Sequence, residues 1–289
     1  MSSRLANFVK AHPRLFILTG AGISAGSGIP TYRDQAGTWL GREPIQHQAF
    51  ISDPIARRRY WARSLVGWPP VSQAQPNDAH TALAELESIG HVTQLVTQNV
   101  DRLHQRAGSQ RVIDLHGRLD RVRCLSCDAN YSRDRIQAFL EAENGSEAGI
   151  DASLRPDGDA DIDTPGEDFR VPSCERCGGV LMPDVVFFGG NVPRERVRRA
   201  MDALATSDAL LAVGSSLKVF SGYRFCRRAA ELGKPIALLN PGETRADPIA
   251  SLHLRADCEP ALGVLLTQLR EPSSAQQSHS RAHPPLPDR

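Results

Sequence analysis

The chain has 289 residues, of which 40% are hydrophobic and 23% charged, and its formal net charge is +1. This length suits one large domain, or a large domain with a small insert, and the near-neutral composition gives no overall attraction to nucleic acid or to a membrane surface. No stretch approaches the roughly 18 apolar residues of a membrane span, and the N-terminal segment is too polar for a signal peptide, so we expect a cytoplasmic protein.

Short apolar runs bounded by turn residues predict six buried strands. Segments with helical spacing lie between them, and Asp78 is the expected N-cap of one helix. The alternation predicts an α/β fold with a doubly wound parallel sheet of the Rossmann type. The predicted strands are 15–19, 92–97, 112–115, 184–188, 209–213 and 235–240, and the predicted helices are 53–66, 78–88, 194–206 and 222–232.

The region from 118 to 182 interrupts this alternation. It holds two cysteine pairs around 143–172, a stretch rich in Asp, Glu and Gly that is too poor in large apolar residues to form its own core. We therefore predict a small metal-organised insert at 118–182, within a Rossmann-like domain formed by 1–117 and 183–270. Residues 271–289 are low in apolar residues and are expected to be a disordered tail.

Four cysteines form two Cys-x-x-Cys pairs, the spacing of a tetrahedral zinc site with four sulfur ligands. Four thiolates leave no coordination position for water, so the zinc should be structural, with one ion per chain. Two disulfides or free thiols are the alternative, which a cytoplasmic location disfavours. The predicted ligands are Cys124, Cys127, Cys174 and Cys177.

A glycine-rich segment, GAGISAGSG, occupies residues 20–28 directly after the first predicted strand. Glycines let the backbone approach a pyrophosphate, and the N-terminal amides of a helix bind it, so a strand, tight turn and helix start suit a dinucleotide. The spacing departs from the G-x-G-x-x-G fingerprint, and the glycines alone fit a structural turn equally well.

The glycine-rich segment is one of an ordered series of motifs. GAGISAGSGIPTYRD is followed by TQNVDRLH, DLHG, the cysteine quartet, PDVVFFGG, GSSL and LNPG. From residue 15 to about 266 this series resembles the sirtuin family of NAD-dependent protein deacylases. The segments REPIQH, RYWARSLVGWP, PDGD and SGYRF are similar to its class II branch, and the early first strand leaves no room for a transit peptide, so we expect a bacterial member.

The resemblance implies that NAD is a co-substrate and that residues from several motifs bind it. These are Gly20, Ala21 and Gly22 at the phosphates, Arg33 in a loop that closes over the cofactor, Gln98, Asn99 and Asp101 at the nicotinamide and its ribose, Gly214, Ser215 and Ser216 at the adenosine side, and Asn240, Pro241, Gly242 and Cys258 at the adenine and its ribose.

The resemblance also implies the reaction. The acyl oxygen of a modified lysine attacks the nicotinamide ribose carbon, nicotinamide leaves, and His116 as general base accepts the proton of a ribose hydroxyl. That hydroxyl attacks the alkylimidate formed in the first step, and water completes the cycle, leaving free lysine and O-acyl-ADP-ribose. The protein substrate would add as a strand along Val185, Val186 and Phe187. Without the series of motifs, DLHG fits a hydrogen-bonded loop histidine better, and the segment around Val186 fits a buried strand.

Tyr60 and Arg63 lie three residues apart on a predicted helix and resemble the Tyr-x-x-Arg pair of sirtuins that prefer acidic acyl groups. A guanidinium there suits a carboxylate, so we expect glutaryl-type chains to be processed better than acetyl-lysine. A solvated basic face with Tyr60 in the core is the alternative. Thr31 and Gly190 depart from the family's usual residues, which puts nicotinamide handling and peptide affinity in doubt.

Two other functions stay open on the sequence. Mono-ADP-ribosyl transfer onto a protein shares the cleavage of the nicotinamide bond and is distinguished by its product. A non-catalytic zinc-ribbon module would need a basic face to bind nucleic acid, whereas the segment between the cysteine pairs is acidic and would repel phosphate. We therefore expect acyl-lysine proteins, and neither nucleic acid nor membrane, as partners.

Overall fold

The computed structural model describes residues 2–32, 34, 38, 40, 44–145, 156–158 and 166–270; the predicted tail at 271–289 lies outside them. Within these residues the chain forms nine strands and nine α-helices, and none of these helices combines the length and apolar character needed to cross a bilayer. The strands are β1 (Leu15–Thr19), β2 (Val92–Thr97), β3 (Val112–Asp114), β4 (Gly117–Cys124), β5 (Asn130–Ser132), β6 (Leu181–Val185), β7 (Ala209–Val213), β8 (Ile236–Leu239) and β9 (Leu252–Leu254). The helices are α1 (Ser2–Ala11), α2 (His47–Ser52), α3 (Pro54–Gln73), α4 (Asp78–Ser88), α5 (Leu103–Arg106), α6 (Arg133–Asn144), α7 (Arg194–Thr206), α8 (Phe220–Glu231) and α9 (Cys258–Arg270).

Six strands form one sheet in the order β3-β2-β1-β7-β8-β9, and every neighbouring pair in it is parallel. From β1 the chain builds outward to β2 and β3, and it later adds β7, β8 and β9 on the other side of β1. The switch point therefore lies between β1 and β7, where sheets of this type bind ligands at the carboxyl ends of their strands. The predicted doubly wound parallel sheet is confirmed.

The core lies on both faces of this sheet, and alternate residues of β1 divide between the two faces. Leu15 and Ile17 are buried in the layer that contains α1, α4 and α9. Phe16 and Leu18 are buried in the layer that contains α7 and α8, where the Phe16 ring packs 5.5 Å from the ring of Phe225. Because both faces are covered, β1 is a continuous apolar run and does not alternate with polar residues.

A second, antiparallel sheet holds β5, β4 and β6 in that order. Its core contains Phe50 of α2 and Trp61 of α3, both fully buried, beside Val122 and Ile136. This small unit is thus built from two stretches of the chain. The sequence pattern indicated only the stretch from 118 to 182, and both of those limits fall inside strands, β4 and β6.

Several predicted elements differ from the observed ones, and the largest difference in length is that of the helix predicted at 53–66, which is Pro54–Gln73. The strand predicted at 184–188 is Leu181–Val185, because its pairing with β4 starts beside the cysteines. The N-cap of α4 is Asn77 and not Asp78, because the side-chain oxygen of Asn77 accepts hydrogen bonds from the backbone amides of Ala79 and His80. Asp78 lies in the first turn of the helix, where the helix dipole favours its negative charge. The helix expected in the glycine-rich segment is a 3₁₀ helix, Ala21–Ser27, since glycine is a poor α-helix former.

The turns after β1 and β7 meet at the switch point with no room for side chains. The amide of Gly22 donates to the carbonyl of Gly214 at 2.8 Å. Gly214 has a φ of +59°, in the left-handed region, and a Cβ atom there would lie 2.4 Å from the backbone nitrogen of Ile23. Backbone atoms cannot swing aside as a flexible side chain can, so this contact requires glycine.

Gly214→Ala should lower the free energy of unfolding by about 2 kcal/mol or more, because a left-handed alanine costs ~1–2 kcal/mol and the clash adds to that cost. Urea unfolding measures the difference. Gly263→Ala is the matched control: Gly263 lies inside α9 with open space at its Cβ position, so alanine should stabilise the protein by up to ~1 kcal/mol. Equal effects of the two substitutions would contradict the proposed contact.

Candidate functional site

A cavity of about 1050 Å³ opens at the carboxyl ends of β1, β2, β7 and β8 and reaches the small unit. This volume is at the upper end for ligand sites, which suits a dinucleotide. Predicted site residues from distant parts of the chain line it together, and their individual roles stay predictions. They are Gly20, Ala21, Gly22, Tyr60, Gln98, Asn99, Asp101, His116, Val185, Val186, Phe187, Gly214, Ser215, Ser216, Asn240, Pro241, Gly242 and Cys258.

Among the described residues predicted to contact NAD or substrate, all but Arg63 line the cavity, and Arg33 lies outside the described residues. Arg63 is buried in α3, one turn after Tyr60, and does not line the cavity. Since Arg63 is only 5% exposed, the alternative of a solvated basic face is wrong for this residue, although Arg59 on the same helix is exposed.

The side chain of Gln98 connects the ends of neighbouring strands. Its amide nitrogen donates to the carbonyl of Thr19, the last residue of β1, at 3.1 Å and to the hydroxyl of Ser215, in the turn after β7, at 2.8 Å. Gln98 itself directly follows β2. One amide group therefore connects the ends of β1, β2 and β7 beside the cavity.

His116 lies between two hydrogen-bond partners. Its Nδ1 atom is 2.9 Å from the carbonyl oxygen of Gln98, and its Nε2 atom is 2.7 Å from the hydroxyl of Ser221. A carbonyl oxygen can only accept, so Nδ1 carries the proton and Nε2 presents a lone pair. Burial lowers the pKa of His116 to about 4; the Gln98 hydrogen bond opposes this effect, and the charges of Arg196 and Arg224 add to it. The ring is therefore neutral, the form that can accept a proton.

Three polar side chains form a buried group on the nicotinamide side predicted from the motifs. The hydroxyl of Ser24 donates to the carboxylate of Asp101 at 2.8 Å and accepts from the amide of Asn99 at 3.0 Å. The backbone amide of Leu103 donates to the other oxygen of Asp101 at 2.9 Å. Burial raises the pKa of Asp101, and these hydrogen bonds oppose that shift. The network holds each of the three side chains in one orientation.

Aromatic rings form the cavity wall on the side of the small unit. The ring of Tyr60 packs 5.3 Å from that of Phe50 and 5.2 Å from that of Phe187. Just before Phe187, the amide of Val186 donates to the carbonyl of His116 at 2.7 Å. The backbones of His116, the predicted base, and of the predicted substrate-binding segment 185–187 are therefore directly hydrogen-bonded. A substrate strand would have to pair with the opposite edge of that segment.

The four predicted metal ligands converge in the small unit, with all four sulfur atoms within 4.8 Å of one another. Cys124 and Cys177 are 3.5 Å apart and Cys127 and Cys174 are 3.6 Å apart, close to the ~3.8 Å between sulfurs that each lie about 2.3 Å from a tetrahedral zinc. All four are free thiols, and these distances far exceed the ~2.0 Å of a disulfide, so the disulfide alternative is wrong. The Tyr131 hydroxyl lies 3.1 Å from the Cys174 sulfur, a contact that supports a thiolate ligand.

The chain matches the model of the Sir2 family over residues 20–221. It is 55% identical to NAD-dependent protein deacetylase 2 of Bradyrhizobium diazoefficiens, over 91% of this chain and 96% of that relative. The chain belongs to the Sir2 family. An NAD-dependent protein deacetylase of Xanthomonas campestris pv. campestris is 56% identical over 90% of this chain and 89% of its own, and the NAD-dependent protein deacylase Sirt4 of Drosophila melanogaster is 45% identical over 88% and 83%.

Solved Sir2 structures share the fold of this chain. A complex of Sir2 with a p53 peptide and NAD+ has a TM-score of 0.76 at 29% identity, covering 93% of this chain and 98% of that one. A Sir2 variant with a deacetylated p53 peptide and 3′-O-acetyl-ADP-ribose has a TM-score of 0.75 at 29% identity, over 92% and 97%. The chain therefore has the same overall fold as these Sir2 structures.

The Sir2 cavity of this chain has wall residues for which the sequence analysis proposed no role. Ser221 and Arg224 come from the first turns of α8, and Pro156 and Asp157 come from the stretch between the cysteine pairs. Ser24 is another such residue, and its place inside the glycine-rich segment was its signal. The other four lie in the segments PDGD and SGYRF, which the sequence analysis compared with the class II branch without giving any of these residues a role.

The protein should contain one zinc ion per chain, and Cys174→Ser should lose it and unfold the small unit, because zinc binding contributes to the folding free energy of such units. Metal analysis and limited proteolysis measure the two effects. Cys226→Ala is the control, since Cys226 is buried in α8 away from the quartet and its loss should leave the zinc in place. An intact, active metal-free protein would contradict a structural zinc.

Proposed function

We propose that the chain is an NAD-dependent protein lysine deacylase in which His116 is the general base. The observation that carries the proposal is the neutral His116 imidazole at the wall of a cavity large enough for NAD, with its Nδ1 proton committed to Gln98. The deacetylase names of its relatives and the NAD and peptide complexes of its structural neighbours support the same activity. The products are nicotinamide, O-acyl-ADP-ribose and the deacylated protein.

NAD would lie across the switch point of the sheet. The residues present fit it: the backbone of the glycine-rich turn is bare of side chains at Gly20 and Gly22, where a Cβ atom would meet neighbouring atoms at 2.8 Å. Asn240 at the end of β8 would bind the adenine ribose. Burial raises the pKa of Cys258 to about 12, so this thiol is neutral and would offer an apolar contact near the adenine.

The substrate NAD supplies an electrophilic ribose carbon when nicotinamide leaves. The residues around Asp101 would orient the nicotinamide end, because their hydrogen bonds hold Asn99 and Asp101 rigidly. His116 would then accept a proton from a ribose hydroxyl at Nε2. As the ring becomes positively charged, its Nδ1–H bond to the Gln98 carbonyl strengthens and stabilises the charged form.

His116→Ala should lower the rate of deacylation by about 10²- to 10⁴-fold, the usual contribution of a general base, while the affinity for NAD stays within about twofold. Peptide deacylation and calorimetric NAD binding measure the two. His91→Ala is the control, because His91 contacts the Pro13 carbonyl far from the cavity. Mass spectrometry of the products separates O-acyl-ADP-ribose from an ADP-ribosylated protein. Activity of His116→Ala within a few fold of wild type would exclude the assignment.

We further propose a bacterial, cytoplasmic, class II enzyme that acts on acyl-lysine proteins and has no nucleic-acid or membrane partner. Relatives at 54–56% identity come from bacteria, and the 45% identity to Sirt4 of Drosophila supports the class II branch. The net charge of +1 provides no general attraction to polyanions.

We propose that Tyr60 and Arg63 select the acyl chain. Tyr60 lines the cavity against Phe187, and Arg63 lies one helical turn behind it, nearly excluded from solvent. A dicarboxylic acyl chain that passes Tyr60 would bring its carboxylate toward the Arg63 guanidinium, which binds carboxylates through two charge-assisted hydrogen bonds. An acetyl group is too short to reach that charge.

Glutaryl-lysine peptides should therefore have a higher kcat/KM than acetyl-lysine peptides, and Arg63→Met should reverse the order by removing the charge while keeping an apolar side chain of similar length. Competition assays with paired peptides measure the ratio. Arg59→Met, an exposed position on the same helix, should leave the ratio unchanged. A wild-type preference for acetyl-lysine, or an equal loss on both peptides in Arg63→Met, would show that this pair does not set selectivity.

A further inference from the structure

The basic nitrogen of His116, Nε2, already accepts a hydrogen bond from a hydroxyl group. Because Nδ1 of His116 donates to the Gln98 carbonyl, Nε2 can only accept, and the hydroxyl of Ser221 at 2.7 Å must be the donor. A ribose hydroxyl therefore reaches this lone pair only by displacing Ser221 or by passing its proton through Ser221.

The position of Ser221 follows from the way α8 begins. Ser221 is the second residue of this helix, and Gly222 comes next. A Cβ atom at Gly222 would lie 2.4 Å from the side-chain oxygen of Gln98, so the absence of a side chain allows the first turn of α8 to lie directly against Gln98 and the imidazole of His116. The Ser-Gly pair thus brings a hydroxyl to the base.

Displacement of Ser221 would break the hydrogen bond between its hydroxyl and His116. Among the described residues, His116 is the only side chain that hydrogen-bonds to this hydroxyl. Ser221 also lines the cavity, and a hydroxyl can donate one hydrogen bond while it accepts others. The oxygen of Ser221 can therefore accept a proton from a substrate in the cavity while its own proton is directed at Nε2.

We propose that Ser221 relays the proton from the NAD ribose hydroxyl to His116, an inference that rests on the proposed deacylase function. The ribose O–H bond breaks as its proton binds the oxygen of Ser221, and the original O–H bond of Ser221 breaks as that proton binds Nε2. The ribose oxygen keeps the electron pair and forms a bond to the acyl carbon of the alkylimidate, as the π electrons of the carbon–nitrogen double bond move to the nitrogen. Ser221 ends neutral, and His116 carries the positive charge.

The relay follows the loss of nicotinamide, so two rates from one enzyme sample test it. Ser221→Ala should lower the rate of deacylation by about tenfold to a hundredfold, a part of the usual contribution of general base catalysis. Exchange of labelled nicotinamide into NAD, which precedes the relay, should stay within about twofold, as should the KM values. Ser221→Thr keeps a hydroxyl and should restore most of the deacylation rate.

Ser88→Ala is the matched control, because it removes a hydroxyl from an exposed position near the end of α4 and should change neither rate. An unchanged or faster deacylation in Ser221→Ala would overturn the relay, since the hydroxyl would then only block the base. A parallel loss of both rates in the Ala and Thr variants would also overturn it, because the side chain would then act in binding or packing. If the wild-type protein neither exchanges nicotinamide nor deacylates peptides, the proposed function fails, and the relay with it.

Discussion

The backbone contact between Gly22 and Gly214 determines how closely the two halves of the parallel sheet approach each other at its ligand end. This contact joins the turn after β1 to the turn after β7 without any side chain between them. Gln98 then adds the end of β2 through its bonds to Thr19 and Ser215. Because all three turns extend from fully hydrogen-bonded strands, the cavity is formed before any ligand arrives, which reduces the entropic cost of binding.

Desolvation shifts the pKa values of two side chains of this cavity, His116 and Asp101, in opposite directions, and both shifts favour the neutral form. Burial lowers the pKa of His116 and raises that of Asp101. For His116 the neutral form is the one that accepts a proton. The Gln98 carbonyl selects which nitrogen of that ring is basic, and Ser221 occupies the basic nitrogen. The charge state of this imidazole is thus controlled by burial, its tautomer by Gln98 and the access to its lone pair by Ser221.

The parts of the fold that could be predicted from the sequence are those in which local pattern and tertiary environment agree. β1, β2, β7, α4 and α7 have the predicted bounds, since buried strands are apolar runs and the two helices keep helical spacing. β4 was not predicted, because GRLDRVRC is half charged and does not look like a buried strand, although β4 is the central strand of the small sheet. The shared core of α2, α3 and the small unit was missed for another reason: it joins segments about 70 residues apart, and no local pattern reports such a contact.

The residues of the site also divide into those that a local pattern marks and those that only tertiary contacts bring into place. Residues such as Gln98 and His116 lie in short motifs, so they could be predicted from the sequence. Ser221 was not predicted because its contact with His116 spans 105 positions and depends on the close approach of α8 at Gly222. Arg63 was predicted as a substrate contact because it and Tyr60 resemble the Tyr-x-x-Arg pair of sirtuins that prefer acidic acyl groups, and the structure adds that Arg63 is buried one turn after Tyr60.

The metal and the base lie at opposite ends of one strand pair. His116 directly precedes β4, whose last residue is the ligand Cys124, and β6 begins four residues after the ligand Cys177. Eight strand residues span about 25 Å, well beyond the ~10 Å over which exposed charges interact at 0.1 M salt. A zinc ion there would therefore act on the base only through the strands. It would secure the β4–β6 pairing beside Cys124, and the same two strands, after a shift in register between Gly117 and Val122, lead to the point where the amide of Val186 donates to the carbonyl of His116.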